Sequence, residues 1–454
     1  MQSTNIKDFT HGNIPRQLTV FALPLFLSNL LQIVYNMVDM VVVGNMLGKT
    51  GISAVSVGGD VTALLTFVAI GFGSAGQVII ARYIGMGRSR DISKFIGTMG
   101  AFLTLCAIAL SFIGIFFQDI FLKLMNTPVT AYQGAASYSF ICMTGLLFIY
   151  GYNIVSAILR GMGDSKHPFI FISVAAFLNL ILDVVFVIFM KLGAAGAALA
   201  TVISQGSSFV FSIVFLIRNA EKFSLALSLR DLIFWDGRML SELLKLGIPM
   251  AIKMAAIQIS KLFVNSWVNS YGVAVSAFSG IANKISSVAN LVSTAMNTAG
   301  STMVGQNIAA QRFDRVREIL RVLAIITLSI ALILSVVICI FPEEIFSMFL
   351  EKEDMEVLSM SAGFVPIAVL LFFAGALRAI MNSLLNGSGN YKVNFATALL
   401  DGIVMRIGLS LLFGLALDMK HYGFWLGDAL AGFTPFFIGL VFYLTGSWKK
   451  PLNG

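Results

Sequence analysis

Any chemistry in this chain has to start from Asp39. It is the one charge in the apolar run Leu18 to Val43. As a helix that run would be about 39 Å long, enough to cross a bilayer with some tilt. A carboxylate there costs about 2.5–3.5 kcal/mol on insertion scales, and such residues mark ion or substrate paths. Asn36, three residues earlier, shares its helix face and is a supporting candidate. The alternative is that Asp39 neutralises an intramembrane base, and Lys253, Lys261, Lys284, Arg378 and Arg406 all fall in apolar runs. Other motifs fail on context. Gly71-Phe-Gly-Ser-Ala-Gly76 fits a dinucleotide turn only by pattern, because no strand precedes it and the run around it is apolar. The stretch Gly161–Lys166 lacks phosphate-loop spacing, and there is no Walker A pattern, Ser/His/Asp constellation or metal cluster. Neither an enzyme, nor ATP as energy source, nor any cofactor is expected.

The elements that must position Asp39 follow from composition. The chain is 58% hydrophobic and 11% charged, with a mean hydropathy of +0.90. No soluble domain of 454 residues needs so much apolar surface. A polytopic, all-α membrane protein is expected, with the lipid bilayer as its solvent. Met1 to Arg16 is polar and the apolar run after it is long, so no cleavable signal peptide is expected. Cys106, Cys142 and Cys339 lie in apolar runs without metal spacing and read as packing. His11, His167 and His421 fall in flanks or loops, which argues against a histidine proton relay.

Hydropathy and length place about twelve spans, near 17–43, 52–80, 93–118, 131–159, 168–190, 194–217, 242–268, 274–303, 318–342, 358–385, 392–416 and 422–446. The longest polar break, with Arg218, Lys222, Arg230 and Arg238, separates a first bundle (1–217) from a second (242–454) through a cytoplasmic linker at 218–241. Lys and Arg crowd the loops on the side of the N-terminus, whereas the opposite loops hold only Lys49, Lys123, Lys191, Lys352 and Lys420. Both termini are therefore expected in the cytoplasm, and the protein in the cytoplasmic (inner) membrane. The net charge of +8 reports this topology and calls for no nucleic-acid partner.

The two halves repeat. Leu23-Pro24 answers Ile248-Pro249, and Ala54-Val55-Ser56 answers Ala277-Phe278-Ser279. The stretch Arg82 to Arg88 answers Gln306 to Arg312, and Leu159 to Lys166 answers Leu385 to Lys392. The nearly constant offset defines a parallel repeat, with substrate expected near the interface of the halves.

At these residues the chain resembles the multidrug and toxic compound extrusion (MATE) family of secondary transporters. The carriers are Pro24 and Asp39 in the first span, Ala81-Arg-Tyr-Ile-Gly-Met-Gly87, Arg160-Gly-Met-Gly-Asp-Ser-Lys166 and Gly305-Gln-Asn-Ile-Ala309. The resemblance covers essentially the whole chain. It implies two six-helix bundles in a V around a central cleft, and export of amphipathic, often cationic, small molecules against inward H⁺ or Na⁺. It also implies a cation site in the first bundle made of Asp39, Asn179, Asp183 and Thr201. The residues support that set independently. Asn179 and Asp183 share a helix face, and Asp39, Asp183 and Thr201 lie about 10 Å inside the outer ends of their spans. Two carboxylates, an amide oxygen and a hydroxyl suit Na⁺. Two acids that cannot both stay ionised cheaply suit a proton equally well. Asn179 and Asp183 could otherwise serve helix–helix hydrogen bonding.

The second half departs from the family, which often carries acids in its seventh and tenth helices. Here spans 7, 8 and 10 hold Lys253, Gln258, Lys261, Lys284 and Arg378 and, past Glu242 at the cytoplasmic edge of span 7, no carboxylate, so coupling is expected to rest on the first bundle alone. The bases could form a wall for an anionic or zwitterionic substrate group. Lys261 or Lys284 could instead pair with Asp39 or Asp60 in one state, or the bases could be structural ion pairs. The expected cleft lining is Tyr35, Met37, Gln258, Lys261, Asn265, Lys284 and Met296. The sequence reads as a cation-coupled drug antiporter working as a monomer. The alternative is a flippase for a lipid-linked or oligosaccharide precursor, whose diphosphate the bases would read.

Overall fold

A computed structural model describes residues 6–223, 225, 234–347 and 355–449. Part of the expected linker, including Arg230, and the outer-loop residues Glu351, Lys352, Glu353 and Asp354 lie outside the described residues. Among those described there is no strand, and every substantial element is an apolar helix, as the hydropathy requires. Among the described residues nine helices are long and apolar enough to cross a membrane, and the bent pair Val129–Thr144 and Leu146–Gly161 makes a tenth. The first of them, Ile14–Gly85, runs for 72 residues. That is about 108 Å at 1.5 Å per residue, far more than one crossing requires. It breaks at Gly48 (φ 63°, ψ −160°) and so supplies two spans. Val273–Ala309, more polar but 37 residues long, completes a set of twelve.

The repeat is visible in the backbone. Gly48 and Gly272 both have positive φ (63° and 118°), as do Gly87 and Gln311 (70° and 58°), and Gly163 and Gly389 (84° and 70°). Each pair is separated by 224 or 226 positions, the offsets read from the sequence. The helices Ser89–Phe116 and Phe313–Ile340 that follow the second pair are both 28 residues long. After the third pair, Asp164 Oδ1 accepts from the amides of Lys166 and His167, and Asn390 Oδ1 from that of Val393. Turn and cap chemistry is thus the same in both halves.

The chain forms two compact units, Met1–Asp8 with Leu27–Gly247, and Phe9–Phe26 with Ile248–Gly454. The boundaries expected from the polar linker differ in two places, since residues 9–26 group with the second unit and residues 242–247 with the first. Both changes fall within three residues of the repeated prolines, Pro24 and Pro249, which interrupt their helices' hydrogen-bond ladders. Packing gives the reason. Phe9, Ile14, Leu18, Phe21 and Leu25 are buried in one core with Met303, Val304, Ile319 and Leu384. The Phe9 amide donates to Gln306 Oε1 (2.8 Å), and the Phe9 carbonyl accepts from Asn307 Nδ2 (3.1 Å). In the first unit the repeat-related Arg82 and Tyr83 hold Glu242, at 3.6 and 2.8 Å. The motifs that carry the family likeness after spans 2 and 8 therefore anchor the start of a helix from the opposite half of the sequence.

Candidate functional site

In the first unit Asp39 lies nine residues before the break at Gly48, and Asp183 is the last residue of the helix Lys166–Asp183. There the ladder widens into a π-type turn over Val184–Phe189, with the Met190 amide reaching the Val185 carbonyl. Such turns rotate side chains out of regular register and recur at functional sites. Asp183 and Asn179 are 1% and 4% exposed, while Asp39 is half-buried. The carboxyl groups of Asp39 and Asp183 lie within hydrogen-bond reach of each other. Asp39 Oδ1, both oxygens of Asp183 and Asn179 Nδ2 are buried without a hydrogen-bond partner among the described residues. Two ionised carboxylates have no donor to offer each other, so a shared proton or a hard cation is what fits between them. Among the described residues no trio of His, Cys, Asp or Glu stands at metal-ligating spacing. The donor set is the carboxylate pair with a neighbouring amide.

The other expected residues divide. Tyr35, Asp39, Asn179 and Asp183 line one cavity of about 480 Å³, together with Leu31, Phe169 and Phe177. Thr201 is half-buried and donates to the Ala197 carbonyl (3.0 Å). Its hydroxyl also meets Tyr138, which lies within electrostatic reach of Asp39. Tyr138 thus ties Thr201 to the carboxylate neighbourhood, and it was not among the expected residues. The signal was present: a tyrosine in an apolar span must find its hydroxyl a partner. Asn36 and Met37 are exposed, and no hydrogen bond joins Asn36 to Asp39 among the described residues.

In the second unit Gln258 and Lys284 are exposed, and Asn265 and Lys261 are half-buried. Met296 is packed in the core and contributes there rather than to a wall. Buried Arg406, 1% exposed, pairs with Asp428 and, at 3.2 Å, with Asp401. Asp401 stands in another π-type turn, Leu400–Met405. Lys253 donates to Asn382 Oδ1 (2.7 Å), and Arg378 Nε to the Gly432 carbonyl (3.4 Å). Asp401 and Asp428 belong to spans 11 and 12, outside the spans 7, 8 and 10 whose bases the sequence sets apart. A buried Arg406 is itself the signal that acids must be near.

The MatE family model matches residues 24–185 and again residues 249–412, once in each repeat. The chain belongs to the MatE family. Among relatives of this MatE protein, the probable multidrug resistance protein YpnP of Bacillus subtilis is 29% identical over 447 residues, covering 97% of both chains. The probable multidrug resistance protein YoeA of the same organism is 30% identical over 441 residues, covering 96% of this chain and 94% of that one. Among solved structures, a MOP superfamily transporter from Pyrococcus furiosus superposes with a TM-score of 0.89 at 19% identity, covering 99% of this chain and all of that one. A mutant of the Vibrio cholerae MATE transporter VcmN gives 0.87 at 18% identity, covering 96% and 98%. The fold is that of the MATE transporters, and the protein is a multi-pass membrane transporter.

Proposed function

We propose that this MatE protein is a secondary antiporter that exports drug-like amphipathic compounds in exchange for H⁺ or Na⁺ bound between Asp39 and Asp183. It works as a monomer in the cytoplasmic membrane, with both termini cytoplasmic. The observation that carries the reading is the facing carboxylate pair with its bare, buried oxygens. The names of its relatives, multidrug resistance and multidrug export proteins, support the substrate class. A cation or proton between the carboxylates replaces repulsion with attraction, which draws the first span towards the helix Lys166–Asp183. The ion drives transport only through a difference in affinity between the inward- and outward-open states. About 5.5 kcal/mol of differential binding converts a 1:99 population into 99:1.

The test uses proteoliposomes loaded in turn with rhodamine 123, a cationic xanthene dye, and fluorescein, its anionic counterpart, under imposed pH or Na⁺ gradients. One gradient is expected to drive one dye, with at least a tenfold loss in Asp39→Asn and in Asp183→Asn. Movement of neither dye under either gradient, or wild-type transport by both variants, overturns the reading.

A further inference from the structure

We propose that the second unit carries a binding site for an oxyanion, formed by Lys253, Lys261 and Arg378. The proposal rests on the transporter reading above and deepens it: the exported compound is an amphipathic anion bearing a carboxylate, sulfonate or phosphate.

Positive charge exceeds negative charge inside this unit. Four bases and two acids from four helices form one electrostatic group. Lys253 is within reach of Asp401 and Arg378, and Lys261 within reach of Asp428, Arg406, Arg378 and Asp401. Arg406 takes both acids as ion-pair partners. That is the form a structural ion pair takes in this protein, and it leaves the other three bases without one. Lys253 and Arg378 meet only neutral oxygens, those of Asn382 and Gly432. Lys261 makes no hydrogen bond or ion pair among the described residues. Fully protonated, the group carries a charge of +2, from four cations and two carboxylates. Uncompensated buried cations are costly, and bases kept only for structure would be matched by acids.

The positions also suit a ligand. Lys253 and Lys261, eight residues apart, fall on one side of the helix Gly237–Asn269. Arg378 and Asn382 are one turn apart on the helix Ser361–Ser388. Asn382 fixes the Lys253 ammonium, and Arg378 is held through Nε, a geometry from which the rest of its fork can engage an oxyanion in two-point fashion. Between the lysines the helix is mostly apolar (Met254, Ala255, Ala256, Ile257, Ile259), so an amphipathic ligand reaching both ammonium groups would lie along apolar side chains.

The experiment compares fluorescein with rhodamine 123, which share a ring system and differ in charge, by fluorescence anisotropy on the full chain in neutral detergent, with no gradient. Wild type is expected to bind fluorescein at least tenfold more tightly. Lys261→Gln and Arg378→Gln should each weaken fluorescein by about 10- to 100-fold, the loss of one charge-assisted hydrogen bond, and leave rhodamine 123 unchanged. Lys261→Arg should stay within threefold of wild type. Asn382→Asp supplies the missing carboxylate beside Lys253 without removing any base, so it should reproduce the loss in a protein with an added ion pair. Equal or tighter wild-type binding of rhodamine 123, or wild-type fluorescein affinity in both Gln variants and Asn382→Asp, overturns the proposal. Repeating the titration in nanodiscs separates the sources. Displacement of the dye by phosphatidylglycerol but not phosphatidylcholine supports the site with a lipid headgroup as occupant, and retention of the dye in both supports it with a soluble anion. Because binding is read at equilibrium, failure of ion coupling appears as absent transport with fluorescein binding intact.

Discussion

The two units are built on one repeated plan and differ in the charges they hold inside their membrane spans. In the first, two carboxylates face each other with no donor between them. In the second, four bases stand with two carboxylates, one oxygen of each paired with a single arginine, Arg406. The landmarks of the scaffold, Gly48 with Gly272, Gly87 with Gln311 and Gly163 with Gly389, are indifferent to this difference. Both acidic residues at issue, Asp183 and Asp401, sit at or in a π-type turn of the helix that follows the third landmark. The comparison teaches that backbone geometry and charge are set separately: turns and caps fix where helices break, and a few substitutions in the walls decide which ion is attracted.

Stability measurements can break that comparison. Arg406→Met should be the most damaging change, because it strands the buried carboxylate of Asp401 and the half-buried one of Asp428. A loss of about 3–5 kcal/mol is expected, read as a lower melting temperature in detergent. An unchanged midpoint would remove Arg406 as the structural element of the second unit. In the first unit the sign reverses. Asp39→Asn should raise the melting temperature in Na⁺-free buffer by the equivalent of about 1–2 kcal/mol, since it ends a carboxylate repulsion and gives Asp183 a donor. A fall would mean that the pair is not mutually repulsive. Gly272→Ala should cost about 1–3 kcal/mol through backbone strain alone, because φ 118° with ψ 172° is glycine territory and a Cβ there meets nothing within 4 Å. Gln311→Gly, which installs the residue its counterpart Gly87 already has, should stabilise by about 1 kcal/mol. A gain of stability from Gly272→Ala, or a loss from Gln311→Gly, would contradict the equivalence of the halves.

Much of this was legible in the sequence. Hydropathy gives the helices and their number, because a spanning helix must bury its own hydrogen bonds and needs no partner to be recognised. The repeat offset survives in the turn residues, whose positive φ constrains sequence directly. Asp39 and Asp183 stand out because charge is rare in apolar runs. Three features were not legible. Residues 9–26 pack with the second unit because of contacts to Met303, Val304 and Ile319, which no local pattern encodes. The π-type turn after Asp183 has no composition signal. The ligation of Arg406 by Asp401 and Asp428 depends on which faces of three helix segments converge, and periodicity does not fix helix rotation in a protein surrounded by lipid. Met296, a plausible wall residue by type, is core for the same reason.

The central claim is a division of labour, with the coupling ion in the first unit and the transported anion in the second. Its most direct test is to measure fluorescein binding and gradient-driven fluorescein transport side by side in Asp183→Asn and Lys261→Gln. The account predicts that Asp183→Asn binds the dye as wild type does and no longer couples its movement to the gradient, whereas Lys261→Gln loses the binding itself. Loss of dye binding in Asp183→Asn as large as that in Lys261→Gln would contradict it, because ion and substrate would then share one site.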